Sequence, residues 1–148
     1  MTYTHILVPT DGSDRSRRAL HEALQLAQTL GSRLTLLHVM ALASIPVVGM
    51  GDQLDARTLE ALLALAHTES DRILDEGLAQ ARQAGVEAQR EQVSGDLPHG
   101  AIVAAAMRLS CDLIVMASHG RRGVAGLLLG SETQRVLVQA PCSVLVVR

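Results

Sequence analysis

The sequence predicts a doubly wound α/β domain, with a five-stranded, mostly parallel sheet and helices on both of its faces. Short apolar runs alternate with stretches whose apolar residues recur at helical spacing, in the order β-α-β-α-β-α-β-α-β. Four of the five strand-like runs are almost continuously apolar, which is typical of parallel strands buried on both faces. At 148 residues, without an internal repeat or a low-complexity linker, the chain is expected to form one domain over residues 1–148.

Local signals place the elements along the chain. The predicted strands are residues 5–9, 33–39, 86–93, 112–117 and 143–147, and the predicted helices are residues 14–30, 56–84, 98–109 and 131–140. Ser13 is expected to cap the first helix and Gly31 to end it. Pro98 suits the first turn of the third helix, and Pro141 ends the last one. Residues 40–53 carry proline and glycine without periodicity and predict a long loop, and the polar strand at 86–93 is expected at a sheet edge.

The composition excludes several classes of partner. Phe and Trp are absent and Tyr3 is the only aromatic residue, so single-stranded nucleic acid would find no stacking platform. The net charge of −2, without a basic block, likewise argues against any nucleic-acid partner. No apolar run reaches the roughly 20 residues that span a bilayer, and no signal peptide is visible, so we expect a soluble, cytoplasmic protein with no membrane partner.

Neither the cysteines nor the histidines predict a metal site. Cys111 and Cys142 have no metal-ligand or C-x-x-C spacing, and two reduced, mostly buried thiols are the simpler interpretation. His38 and His99 also lack the spacing of metal ligands.

The segment Ala117-Ser118-His119-Gly120, followed by nine residues and then Gly130-Ser131, carries the most chemistry. It joins a strand to a helix, where backbone N–H groups can converge on a phosphate. Ser131 is expected to cap that helix, either with this role alone or together with ligand binding. His119 is a candidate phosphate neighbour, and Arg121 and Arg122 are candidate partners of a triphosphate; in each case the alternative is a solvated loop residue.

A second polar loop, Pro9-Thr10-Asp11-Gly12-Ser13, follows the first strand. If the first and fourth strands are neighbours, both loops line one crevice at the carboxyl edge of the sheet. Asp11 could then accept hydrogen bonds from ribose hydroxyls, although aspartate in such a cluster often serves only to form the turn. Gly120, Gly130 and Ser131 could hold phosphates. No Walker-type G-x-x-x-x-G-K-[ST] loop, nucleophile elbow or catalytic triad is present, so we assign no catalytic residue.

These segments resemble the universal stress protein family over essentially the whole chain. The matching segments are ILVPTDGS at 6–13, DLIVMASHGRRG at 112–123, LLGS at 128–131 and APCSVLVV at 140–147. ATP-binding members carry G-x-x-G, nine residues and then G-[ST]. Here Gly120, Gly130 and Ser131 match that motif, whereas Ala117 replaces its first glycine.

The resemblance implies an ATP site and a homodimer through the last strand. Adenine is expected between the first two strands with backbone groups of Val39 at the base, ribose near Asp11, and any Mg²⁺ held mainly by the phosphates. Independently, the apolar strand at 143–147 ends the chain and is expected at a sheet edge, where a bare edge favours pairing between two copies. The full set of candidate nucleotide-binding residues is Pro9, Thr10, Asp11, Val39, Met116, Ala117, His119, Gly120, Arg121, Gly130, Ser131, Glu132 and Thr133.

The function expected from the sequence is therefore that of an ATP-binding stress-response protein, acting as a dimeric sensor or regulatory module. Two alternatives stay open at this point. One is a slow ATP hydrolase, which would need a catalytic base that the sequence does not identify. The other is a protein-interaction module of the same fold, in which Ala117 and nearby changes have removed nucleotide binding.

Overall fold

The protein, described by a computed structural model over residues 2–41, 55–120 and 128–148, folds around a five-stranded sheet in the order β3-β2-β1-β4-β5. Every neighbouring pair in this sheet is parallel. The strands are β1 His5–Pro9, β2 Arg33–Met40, β3 Ala88–Ser94, β4 Leu113–Ala117 and β5 Ser143–Val147. The helices are α1 Asp14–Leu30, α2 Ala56–Gln83, α3 Pro98–Arg108 and α4 Ser131–Gln139. The predicted α/β architecture and order of elements are confirmed.

The chain winds in two directions from the centre of the sheet. It runs from β1 outward to β2 and β3, then crosses back to β4 and ends at β5. Helices α1 and α2 pack on one face in a core cluster that contains Leu20 and Leu74, and α3 and α4 pack on the other with Ile102 and Val136. Strand β1 contributes to both clusters, since Ile6 faces the first and Leu7 the second. The reversal of winding therefore lies between β1 and β4.

Helix ends follow the capping chemistry of the sequence. The Ser13 side chain accepts a hydrogen bond from the Ser16 N–H at 3.2 Å, which caps α1 as predicted. Gly31 ends α1 with a φ of 69°, a conformation that side-chain-bearing residues rarely adopt. Pro98 lies in the first turn of α3, as its missing N–H permits.

Strand β5 departs from the expected burial on both faces. It occupies the sheet edge, and Ser143 and Leu145 are exposed while the other three residues are only partly buried. An apolar sequence allows a strand to be buried on both faces. Whether it is buried depends on its place in the sheet, because an edge strand has a neighbour on one side only. The other predicted edge strand, β3, does lie at the opposite edge.

Helix α2 buries side chains only along its second half. Its buried residues begin at Ser70 and continue to Ala81, whereas Leu59 is 43% exposed. A helix of 28 residues is about 42 Å long, but an eight-residue strand is only about 26 Å long, so the first turns of α2 extend beyond the strands. The predicted long loop at 40–53 lies outside the described residues from residue 42 onward.

None of the helices in the described ranges combines the length and the apolar character needed to cross a bilayer.

A buried histidine links three parts of the fold. His5 is 5% exposed on β1, and its Nε2 lies 2.8 Å from the Thr35 hydroxyl while its Nδ1 lies 3.2 Å from the Leu109 carbonyl oxygen. Because a carbonyl only accepts, Nδ1 carries a proton, and in the neutral ring Nε2 then accepts from the Thr35 hydroxyl. Burial, helped by the positive charge of Arg33, lowers the pKa of His5 below its usual 6.5.

Replacing His5 with glutamine should make the free energy of unfolding less dependent on pH between about pH 7.5 and pH 5.5. With a lowered pKa in the folded state, His5 stabilises the fold fully above 6.5, and this contribution is lost as pH falls through the folded-state pKa. Urea titrations across this range measure the effect. The matched control is His21→Gln on the exposed side of α1, which should keep the wild-type slope; an equal slope in His5→Gln would contradict the prediction.

Candidate functional site

The crevice predicted from the two polar loops opens where β1 and β4 separate. These strands pair at Ile6 with Leu113 and at Leu7 with Ile114, and the pairing does not continue to their carboxyl ends. The first and fourth strands are therefore neighbours, which meets the condition under which both loops border one crevice. In doubly wound sheets a reversal of winding leaves such an opening at the carboxyl edge, where ligands bind.

The loop after β1 is a tight turn held by its own side chains. Asp11 Oδ1 accepts from the Ser13 N–H at 2.9 Å, so the turn-forming role that the sequence left open is present. The turn follows Pro9, and the Thr10 N–H anchors it to β2 by donating to the Leu37 carbonyl at 2.8 Å. Gly12 adopts a φ of 76°, which requires glycine at this point of the turn.

Asp11 and Gly120 bring the two predicted loops together. A Cβ atom added to Gly120 would lie 3.1 Å from Asp11 Oδ2, so the backbone after β4 runs directly past the carboxylate. A side chain at residue 120 would crowd this oxygen. The glycine therefore keeps space beside Asp11 at the mouth of the crevice.

The backbone of Val39 faces the same opening. The Arg33 N–H donates to Thr4 and the Leu37 carbonyl accepts from Thr10, so odd-numbered residues of β2 direct their backbone groups toward β1. Strand β1 ends at Pro9, which is opposite Leu37 in the register. The N–H and C=O of Val39 therefore point toward the β1 side of β2, two residues beyond the last paired position of β1.

Gly130, rather than the predicted Ser131, is the N-cap of α4. Its carbonyl accepts the first helical hydrogen bond, from the Gln134 N–H at 3.0 Å, while Ser131 is already helical. The N–H of Gly130 donates to the Ser118 carbonyl at 2.9 Å, so it is engaged within the loop rather than directed at a ligand. A Cβ at Gly130 would lie 3.1 Å from that same oxygen, which explains the glycine by close approach.

The backbone N–H groups in the first turn of α4 receive no side-chain cap, because the N-cap residue is Gly130. The N–H groups of Ser131, Glu132 and Thr133 precede the first intrahelical hydrogen bond donated by Gln134. The positive end of the helix dipole lies at the same place. This end of α4 is thus suited to an anion, and it borders the crevice because Gly130 contacts Ser118 at the end of β4.

Three of the predicted site residues, Met116, Ala117 and Thr133, are buried and pack beneath the crevice. The Thr133 hydroxyl is buried and donates to the carbonyls of Ala117 and Ser118, each at 3.1 Å, which ties α4 to the end of β4. Met116 is buried on the α3/α4 side of the sheet, and Ala117 packs into the α1/α2 side. The methyl group that replaces the first glycine of the motif is therefore accommodated in the core.

His119 and Arg121 complete the predicted set. The His119 ring is half-buried, with Nδ1 3.2 Å from the Ser118 hydroxyl and Cδ2 3.4 Å from the place where a Cβ of Gly130 would stand. It lies against the start of α4, near the candidate anion site. Arg121, like Arg122, lies outside the described residues.

The sequence missed the role of His99. This residue is 9% exposed at the start of α3, and its backbone N–H donates to Glu132 Oε2 at 2.8 Å while its Nδ1 lies 2.9 Å from the same oxygen. Burial raises the pKa of Glu132, but the hydrogen bonds from His99 and the charge of Arg135 outweigh it and leave the pKa below its usual value. The signal available in the sequence was position: α3 begins at the same sheet edge as α4.

A sequence model of the universal stress protein family matches residues 2–148. The chain is similar to universal stress protein MJ0531 of Methanocaldococcus jannaschii, with 33% identity over 146 residues that cover 99% of this chain and 82% of the relative. Among solved structures, universal stress protein UspA from Lactobacillus plantarum is 27% identical and superimposes with a TM-score of 0.81 over 100% of this chain and 99% of its own. A universal stress protein in complex with cAMP is 28% identical, with a TM-score of 0.71 over 100% of this chain and 98% of its own. With the family match spanning nearly every residue, and the crevice formed by the segments that carry the resemblance, this chain belongs to the universal stress protein family.

Proposed function

We propose that this protein binds ATP in the crevice between β1 and β4 and acts as a dimeric regulatory module in the response to stress. The observation that carries the proposal is the close approach of Asp11 and Gly120 near the first turn of α4. A Cβ atom added to Gly120 would lie 3.1 Å from Asp11 Oδ2. A carboxylate that accepts hydrogen bonds from hydroxyl groups suits the ribose of a nucleotide, and a helix end that donates hydrogen bonds to anions suits its phosphates.

In this proposal each part of the nucleotide occupies its own side of the crevice. The base lies near Val39, whose backbone donor and acceptor face the opening past the end of β1. The ribose lies near Asp11, which keeps Oδ2 on the side of Gly120 while Oδ1 holds the turn. The phosphates lie at the first turn of α4, where backbone N–H groups and the Ser131 hydroxyl donate.

A divalent ion such as Mg²⁺ would depend on the phosphates of the nucleotide. Among the residues that the structure describes, no three histidine, cysteine or carboxylate side chains are grouped so that they could hold a metal ion. Mg²⁺ is commonly bound by one or two carboxylates together with substrate phosphates, and Asp11 is the carboxylate nearest to Gly120 in this crevice.

A related structure supports the class of ligand. The universal stress protein in complex with cAMP shares 28% identity with this chain over its whole length, and cAMP carries the adenine, ribose and phosphate that the three parts of this crevice suit. Binding without rapid turnover is favoured because the 13 basic Lys and Arg positions are all arginine, so no lysine can play the part of the phosphate-loop lysine.

The free edge of β5 supports assembly into a dimer. The Ser118 N–H donates to the Val147 carbonyl at 2.8 Å, so odd-numbered residues of β5 bond to β4. The backbone groups of Val144 and Val146 consequently point away from the sheet. Exposed apolar side chains lie on β5 and the adjoining α4, with Leu145 39% and Val138 86% exposed. A second copy could pair with this edge and cover these side chains.

Replacing Gly130 with alanine should weaken ATP binding on the order of tenfold or more, because the new methyl pushes the Ser118 carbonyl and shifts the first turn of α4. Isothermal titration calorimetry measures the dissociation constant. Gly95→Ala is the matched control, since a Cβ there meets nothing within 4 Å. Wild-type protein that binds no ATP would favour the protein-interaction alternative, and equal affinities in both variants would refute the assigned phosphate position.

Replacing Val146 with proline should shift the protein from dimer to monomer in light scattering. The substitution removes an N–H that faces outward and leaves the bonds between β4 and β5 in place. Val146→Ala retains that N–H and should stay dimeric. A monomeric wild type at high concentration, or a Val146→Pro variant that remains fully dimeric, would show that β5 does not form the interface.

A further inference from the structure

We propose that Glu132 sets how strongly the crevice discriminates between nucleotides of different phosphate charge, and that His99 is the positioning residue that holds its carboxylate aside. The inference rests on the proposed nucleotide site and concerns which ligands of that class it prefers. It follows from three features of the two helix ends, α3 and α4, that meet at this edge of the sheet.

The first feature is the fixed position of the Glu132 carboxylate. Oε2 accepts from the His99 N–H at 2.8 Å and lies 2.9 Å from His99 Nδ1, while Oε1 lies 3.1 Å from Arg135 Nη1. The N-cap of α3, Leu97, has no side-chain hydrogen bond to its own helix. Glu132 therefore supplies from α4 the cap that α3 lacks, and both oxygens are held on the side of α3 and Arg135.

The second feature is the place of Glu132 in α4. It is the second helical residue, directly after Ser131, so its own N–H belongs to the turn that is proposed to meet the phosphates. A carboxylate within this turn repels any anion bound there. The hydrogen bonds from His99 lower the pKa of Glu132, so it stays ionised at neutral pH and the repulsion is present.

The third feature is the pair of side chains, Arg135 and His99, that reduce this repulsion. Arg135 lies one turn along α4 and offsets part of the negative charge, and the His99 contact draws the carboxylate toward the N-terminus of α3. The remaining repulsion grows with the charge of the ligand, from adenosine through AMP and ADP to ATP. Glu132 consequently reduces the advantage that the helix end gives to the more highly charged nucleotides.

The test compares dissociation constants of adenosine, AMP, ADP and ATP, measured by calorimetry at low ionic strength without divalent cations. Glu132→Gln keeps an oxygen that accepts from the His99 N–H but removes the charge. The variant should strengthen binding progressively along the series, on the order of twofold for each added unit of ligand charge and with little change for adenosine. The gain should shrink at high salt.

Glu87→Gln is the matched control. Glu87 is exposed and directly precedes β3, so it lies at the amino-terminal end of a strand, whereas the crevice lies at the carboxyl ends. The same change in net charge should therefore leave all four dissociation constants near their wild-type values. Melting temperatures of all variants confirm that each is folded. An equal change for all four ligands in Glu132→Gln, no change at all, or the same progressive gain in Glu87→Gln would each overturn the inference.

Variants of His99 test its positioning role. His99→Ala removes the ring donor but keeps the backbone N–H, so the Glu132 carboxylate is held less firmly and ATP affinity should fall more than adenosine affinity. His99→Asn supplies a donor from its amide and should restore the wild-type ratio. A uniform loss for every ligand in His99→Ala would show a merely structural role and overturn this part. Wild-type protein that binds none of the adenine ligands would overturn the proposed function itself, and that outcome is distinct from binding that is insensitive to Glu132.

Discussion

The separation of β1 from β4 is the constraint on which the rest of this site depends. Strands β1 and β4 are neighbours in the sheet, and they lead to helices on opposite faces. In this chain the register covers Ile6 with Leu113 and Leu7 with Ile114 and then stops. The opening that results is bordered by the turn at residues 10–13, which leads to α1, and by Gly120 and the start of α4. The N-terminal ends of α1 and α4 therefore both lie at this edge of the sheet.

Close backbone contacts keep this opening narrow and well defined. Gly120 passes Asp11, and Gly130 packs against the Ser118 carbonyl, each at a distance that leaves little room for a side chain. The buried Thr133 hydroxyl fastens α4 to the end of β4 through two carbonyls. The two glycines and Thr133 thus fix where the first turn of α4 points. The proposed anion site is therefore preorganised by its backbone, so that its donors would need little rearrangement on binding.

The contact between Glu132 and His99 couples two helix ends that the chain places at one edge of the sheet. Neither α3 nor α4 receives a side-chain hydrogen bond from its own N-cap residue, which is Leu97 in α3 and Gly130 in α4. The Glu132 carboxylate from α4 accepts from the His99 N–H at the start of α3 and so supplies the cap that α3 lacks. The same residue brings a negative charge close to the proposed phosphate site, so stability at one helix end is linked to ligand preference at the other.

The sequence by itself determined the features that rest on short-range chemistry. The order of strands and helices, the caps at Ser13 and Gly31, and the positions of the two polar loops all depend on residues within a few positions of one another. The prediction that both loops line one crevice needed only the added condition that the first and fourth strands are neighbours, and that pairing is present. The nucleotide itself stays a proposal, because a loop sequence shows which donors exist and not what they hold.

Only the tertiary structure decided the features that depend on which elements touch. Gly130 rather than Ser131 caps α4 because the close approach to Ser118 sets the backbone angle there. Strand β5 is partly exposed because it lies at an edge, and α2 buries residues only from Ser70 onward because the sheet is shorter than the helix. His99 and Glu132 are 33 positions apart, and their contact exists because α3 and α4 share one face. Periodicity reports which face of an element is apolar, but packing alone determines what that face meets.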